Sequence, residues 1–347
     1  MFKQTNKNSF FGYFLYDQIV PKDHFLRKLA AAVDFNFVNE LCQDAYPNFG
    51  KAGNRPYEPA MLFKILLLAF LYNVSLRDME EQINDRLSFK WFLGLAATDS
   101  APDHSTISVF RDRLKEDIFQ EIFNQIVKQA DEKGLIHDRL KIIDSTDIAA
   151  NVDLARLVKE HRDGDKSDGN TFIDDNSPDQ DARFGRKSDQ KQIYGFKQHT
   201  AIDADSGIIE AMKITPANVL DMDVVEPLLK PLKKSNDGRK KTKATMDKGY
   251  DTNENHALLE KHGFKSFIII KKNRKVEKLK QRMNTAIYKS TISERYKVER
   301  IFAESKSNHG LAKCRWLGKW KTEIQAYVTA SVLNCKRIVT LLSPIAA

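Results

Sequence analysis

The spacing of apolar residues changes once along this chain, near Arg139, and that change limits the folds open to it. Up to about residue 137 apolar side chains recur every three or four positions, as in FLRKLAAAVDFNFVNELC, SLRDMEEQIND and STISVFRDRLKEDIFQEIFNQIVKQADEKG. That is helical spacing. Ser75 ahead of LRDMEE, and Pro102, Asp103 and Ser105 ahead of the long segment, are residues that start helices. From Arg139 onward the apolar runs are short and β-branched: RLKIID, YGFKQHTAID, SGIIEAMKIT, KATMD and SFIIIKK. The pattern calls for an all-helical domain over 1–137 and a mixed α/β domain over 138–347, and 347 residues suffice for two cores.

Within the second domain, turn residues from Asp203 to Gly207 separate two strands, so Tyr194 to Thr215 reads as an antiparallel hairpin. KATMDKGYDTNENHALLEKHGFKSFIII reads as strand, loop, helix and strand, a parallel crossover. HRDGDKSDGNTFIDDNSPDQDARFGRKSD is rich in Asp, Gly, Ser and Asn and reads as a mobile loop over about 161–189. In the helical domain, SLRDMEEQINDRLSFKWFLGL has the proportions of a helix-turn-helix. The apolar run from Ala60 to Leu76 is too short for a membrane span and carries Lys64, so it reads as a buried helix. The C-terminal run from Trp320 reads as an amphipathic helix that closes a core.

A net charge of +9 and a pI near 9.2 point to a polyanionic partner, nucleic acid first. Cys42, Cys314 and Cys335 are far apart, with neither disulfide nor zinc spacing, which fits a reducing cytoplasm. The N-terminus shows no export pattern. Neither a GxxxxGK[ST] nor a GxGxxG loop is present, which argues against a nucleotide triphosphate cofactor.

Carboxylates carry the chemistry. Asp144 in KIIDST and Asp247 in KATMDKGYD stand where strands are expected to end, and strand ends are where α/β sheets place ligands. In SERYKVERIFAESKSNHG, helical spacing puts Arg295, Glu299 and Lys306 in one stripe with Phe302 at its edge, while Glu294 and Glu304 point elsewhere. Asp144, Asp247 and Glu299 can therefore converge, and such a cluster repels itself unless cations fill it. Two Mg²⁺ or Mn²⁺ ions about 3.5–4 Å apart can activate water and stabilise the leaving oxygen of a cut phosphodiester. Arg295 and Lys306 beside them can grip flanking phosphates. Asp147 competes with Asp144 for the first position. Asp203 and Asp205 are assigned to the hairpin turn, Asp221 to a cap or a solvated position, and His104 and His199 to structural hydrogen bonds.

These blocks resemble the DDE transposases of bacterial insertion sequences, which combine a ribonuclease H-like catalytic domain with a tyrosine–arginine–glutamate–lysine signature. The likeness lies in IIDST, in DARFGRKSDQKQIYGFKQHTAIDADSGIIEAMKITPANVLDMD, in MDKGYDTNEN, and in Arg295, Glu299 and Lys306 followed by HGLAKCRWLG. It extends to NRPYEPAMLFKILLL, SLRDMEEQI, FLGL and PDHSTISVFRDRL in the first half. The resemblance implies a ribonuclease H-like mixed sheet flanked by helices, and a transposase that binds the terminal inverted repeats of its element, cuts double-stranded DNA and joins it to target DNA. It implies Asp144, Asp247 and Glu299 as metal-binding catalytic residues for two Mg²⁺ or Mn²⁺ ions, and Arg295 and Lys306 as DNA contacts. It also implies a helical domain that helps bind the element ends, two protomers acting on paired ends, and a cytoplasmic, nucleoid-associated protein with no membrane partner. The tyrosine of the signature falls at Ile292, so its DNA contact is lost or supplied by Tyr296 or Tyr288. The rival readings are a metal-dependent nuclease that does not join DNA, and an inactive or domesticated copy that binds repeats and represses.

Overall fold

The computed structural model describes residues 10–46, 56–164, 169–188, 191–235, 241–271, 281 and 283–343. The chain divides into two compact units, one of residues 1–130 with 327–347 and one of residues 131–326. The last 21 residues thus group with the helical unit, whereas the change in periodicity had placed everything from 138 to 347 together.

The first unit contains α1 (Phe10–Ile19), α2 (Phe25–Ala32), α3 (Phe37–Leu41), α4 (Pro59–Leu71), α5 (Leu76–Asp85), α6 (Leu87–Leu93) and most of α7 (His104–Glu132). Pro59 opens α4 at its first turn, where a missing N–H costs nothing, and the helix is then buried from Pro59 to Phe70 except at Lys64. Among the described residues no single helix is long and apolar enough to cross a membrane. Ser75 and Asp78 form a reciprocal capping box that starts α5. α6 stops at Gly94, whose φ of 76° is the left-handed conformation glycine adopts freely. α5 and α6 are the pair with helix-turn-helix proportions, but α6 buries Phe89, Lys90, Phe92 and Leu93, so it has little surface left for a DNA groove. α7 is interrupted at Lys115, which has a φ of 53°.

The second unit is built on a six-stranded sheet. Its elements are β1 (Leu140–Ala149), α8 (Leu154–Gly164), α9 (Gly169–Asn176), β2 (Arg183–Ser188), β3 (Lys191–Asp203), β4 (Ile209–Pro216), α10 (Val225–Leu229), β5 (Lys243–Thr245), α11 (Asn253–Lys261) and β6 (Lys265–Ser266). Helices α12 (Ala286–Ser293) and α13 (Tyr296–His309) follow, and α14 (Lys319–Leu342) begins in this unit and runs on into the residues grouped with the first. β3 and β4 form the expected hairpin, and β3 runs antiparallel to β1 from Lys141 opposite Asp203 to Ala149 opposite Gly195. On the other side of β1 lie β5 and then β6, both parallel, joined by the crossover through α11. Regular pairing of β6 is short, but the Phe267 and Ile269 N–H groups go on donating to Ala244 and Met246. With β2 also paired antiparallel to β3, the order β4, β3, β1, β5, β6, with the first three antiparallel and the rest parallel, is the ribonuclease H-like arrangement that the resemblance implied.

One face of this sheet is closed by α10 and α11. Ile143, Ala201 and Ala211 pack there with Val225, Leu228, Leu229, Leu259, Phe264 and Tyr250, all buried. At Gly195 the backbone of β3 passes so near β1 that a Cβ would strike the Ile148 carbonyl and lie 2.6 Å from Ala150 N. The segment 161–189 is not the loop its composition suggested: it holds the end of α8, all of α9 and β2, with 165–168 and 189 outside the described residues. Few apolar residues are needed there. Ile173 is buried, Phe172 lies 5.2 Å from the His161 ring, and β2 is held by backbone pairing to β3, a bond that polar composition does not reveal.

Candidate active site

Asp144 lies in the middle of β1 and not at its end, since the strand runs on to Ala149. Its side chain is mostly buried. The Ser145 N–H donates to Asp144 Oδ1 at 2.9 Å, and Arg295 Nη2 donates to Asp144 Oδ2 at 2.6 Å. The other arm of the guanidinium, Nη1, reaches Asp247 Oδ1 at 3.5 Å. Asp247 stands just past β5 and accepts from the Lys248 N–H at 2.7 Å, which turns the chain out of the sheet. A single arginine thus ties together two aspartates that are 103 residues apart in sequence. Burial pushes the Asp144 carboxyl above the usual range, and the Asp247 charge adds to this, while Arg295 and the Ser145 N–H oppose it. Asp147 is three residues farther along the strand and so faces the other side of the sheet from Asp144.

Arg295 precedes α13, at the junction with α12, and Glu299 lies in the first turn of α13 and is exposed. The helix packs through Val298, Phe302 and Ser305, and Lys306 is partly buried in its last turn before Gly310, with a φ of 70°, ends it. The carboxylate oxygens of Asp144, Asp247 and Glu299 do not all three lie within 4.8 Å of one another. Among the described residues that spacing is met by Glu80, Asp103 and His104 in the first unit and by His137, Asp203 and Asp205 in the second. His104 Nδ1 is 2.8 Å from Glu80 Oε2, the structural hydrogen bond the sequence suggested.

Sequence reasoning missed the groups that hold α13 in place. Arg139, at the foot of β1, donates from Nε and Nη2 to Asp205 at 2.5–2.9 Å and from Nη1 and Nη2 to Glu294 at 2.7 Å. Lys297 Nζ bonds Glu294 Oε2 at 2.7 Å and the Ala204 carbonyl at 2.9 Å. The bonds from Arg139, with Lys297 second, hold the Glu294 carboxyl down at about 2. Asp205 is therefore an ion-pair partner as well as a turn residue. Asp221 is likewise engaged, by Lys197 Nζ at 3.1 Å, and buried His199 is bonded to Thr215 Oγ1 at 2.9 Å, with burial pushing its ring down to about 4. The two tyrosines that could replace the one missing at 292 differ sharply. Tyr288 is buried and its hydroxyl donates to the Ile268 carbonyl at 2.9 Å, so it is not available to a ligand, whereas Tyr296 is 51% exposed.

Residues 137–335 match the Transposase DDE domain family, and residues 14–113 match a transposase domain family, DUF772. The chain belongs to the DDE transposases. A curated relative, the transposase for insertion sequence element IS1106 of Neisseria meningitidis serogroup B, is 30% identical over 233 residues, which cover 66% of this chain and 76% of that protein. A solved structure, the piggyBac transposase synaptic complex with hairpin DNA, aligns at a TM-score of 0.45 and 11% identity over 94% of this chain and 76% of the other. As a DDE transposase the protein is a metal-dependent enzyme that acts on DNA. The donor set agrees: Asp144 and Asp247 are hard oxygen donors of the kind Mg²⁺ and Mn²⁺ take, and they already share one cationic group.

Proposed function

We propose that this DDE transposase binds the terminal inverted repeats of its own insertion sequence, cuts the DNA at those ends and joins the freed ends to a target. Asp144, Asp247 and Glu299 hold the divalent ions, two Mg²⁺ or Mn²⁺. The observation that carries the reading is the bridge from Arg295 to both aspartates, because it gathers two strands and the helix bearing Glu299 around one charged point. Divalent cations there supply Lewis-acid activation of the attacking oxygen and charge stabilisation of the leaving one. Buried Asp144 fixes the position of the site on the central strand, and Asp247, tied to the Lys248 N–H, presents its oxygens from the neighbouring strand. In this reading Glu299, exposed on the first turn of α13, supplies the third carboxylate. Arg295 and Lys306 take phosphates on either side of the scissile bond, and Tyr296, exposed where Tyr288 is not, supplies the aromatic contact that Ile292 cannot.

The helical unit adds affinity for the element ends, through surfaces other than buried α6, and two protomers act on paired ends. The test is a joining assay with the purified protein, a labelled duplex carrying the element end, a target plasmid and Mg²⁺. Labelled strand found covalently in the plasmid supports the proposal. Cleaved ends without joined product make the protein a nuclease, and end binding without cleavage makes it a repressor.

A further inference from the structure

Arg295 has two calls on one guanidinium. It is the side chain proposed for a DNA phosphate, yet in the protein alone it spends both Nη groups on Asp144 and Asp247. It is only 14% exposed, so it lies among the aspartates and does not reach out into solvent. A divalent ion on the same carboxylate oxygens would face a like charge within a few ångströms, and both cannot stay. We infer that Arg295 is the resident counter-cation of the metal-free Asp144/Asp247 pair, that a divalent ion displaces it, and that the displaced guanidinium is then free to take a DNA phosphate. This rests on the reading of Asp144 and Asp247 as the metal-holding pair.

The surroundings suit a side chain that swings while its backbone stays. Arg295 sits between α12 and α13, and the residues beside it are fixed: Glu294 to Arg139 at 2.7 Å, Lys297 to the Ala204 carbonyl at 2.9 Å. Moving the guanidinium therefore needs side-chain rotation only. The contact is also imperfect, since the buried Arg295 Nε finds no acceptor among the described residues. An unmet buried donor makes departure cheaper. Because one side chain serves both ligands, metal loading favours DNA binding and DNA binding favours metal loading to the same extent.

The test is a titration of the full chain with Mn²⁺, followed by calorimetry, with and without a short DNA duplex. Without DNA, Arg295→Gln binds Mn²⁺ about tenfold more tightly than the native protein, the scale of one lost charge-assisted competitor. Adding the duplex tightens Mn²⁺ binding by the native protein and leaves that of the variant nearly unchanged. Arg295→Lys, which keeps the charge but lacks the fork that spans both aspartates, falls between and serves if Arg295→Gln does not fold. Unchanged or weaker Mn²⁺ binding by the variants overturns the displacement and leaves the metal assignment standing. Mn²⁺ binding that survives Asp144→Asn overturns the assignment itself, and the displacement with it.

Discussion

Replacing Arg139 by methionine tests whether the start of α13 is held by charge. Arg139 makes bonds of 2.5–2.9 Å to Asp205 and of 2.7 Å to Glu294, but its side chain is 44% exposed, so water and salt weaken both pairs. Exposed pairs contribute up to about 1 kcal/mol each, and a guanidinium shared by two carboxylates stands at the upper end, which gives a loss of about 1–2 kcal/mol. For a unit of roughly 200 residues that lowers the melting midpoint by about 3–6 °C. Activity should suffer more. Freed from Arg139, Glu294 no longer anchors the backbone beside Arg295, and if the proposed site lies there, small misplacements cost about tenfold to a hundredfold in rate. The assay pairs calorimetric melting with cleavage of a labelled element end. Arg139→Lys keeps the charge without the fork and should recover less than half of either loss. Arg156→Ala, at a 75% exposed i,i+4 pair on α8, is the control and should change stability by less than about 0.5 kcal/mol. An Arg139→Met protein that melts and cuts like the native one refutes the clamp.

The remaining predictions follow from single sites. Because the Glu294 carboxyl is held down at about 2 in the folded protein, against 4.5 as its ordinary value, its contribution is complete above about pH 4.5 and is lost as pH falls toward 2. Glu294→Gln, which removes at most about 1 kcal/mol at neutral pH after screening, should therefore differ most from the native protein at pH 6–7 in urea melts and converge with it in acid. Gly195→Ala drives a methyl group into the backbone of β1 and should cost about 3 kcal/mol or more, read as insoluble or poorly folded protein on expression. Cys42, Cys314 and Cys335 are buried, and burial pushes their thiols up to about 12, 11 and 12, so iodoacetamide should label none in the native protein and all three in guanidinium.

What could be read from the sequence was whatever depends on local pattern. The switch from helical spacing to short β-branched runs at Arg139, the hairpin around Asp203–Gly207 and the crossover between KATMD and SFIII each need only a few neighbouring residues, and each is present in the fold. Asp144 was misplaced to a strand end because polar Ser145, Thr146 and Asp147 end the apolar run, while the strand continues on backbone pairing to β3. The segment 161–189 was misread for the same reason, since its helix and strand owe little to apolar side chains. Nothing local announces the clamp: Arg139 meets partners 66 and 155 residues away, and only the sheet brings the turn after β3 and the start of α13 to the foot of β1. Nor could the sequence separate Tyr288, turned inward to the Ile268 carbonyl, from exposed Tyr296.

If Asp144, Asp247 and Glu299 do metal-dependent chemistry on DNA ends, Glu299 is the most exposed of the three. The direct test compares the native protein with Glu299→Gln on a labelled element end, with Mn²⁺ or with EDTA, and measures binding by gel shift beside cleavage. The native protein should cleave only with Mn²⁺, and the variant should lose at least about a hundredfold in cleavage while keeping end binding. Equal cleavage by both proteins, or cleavage that persists in EDTA, would contradict this reading.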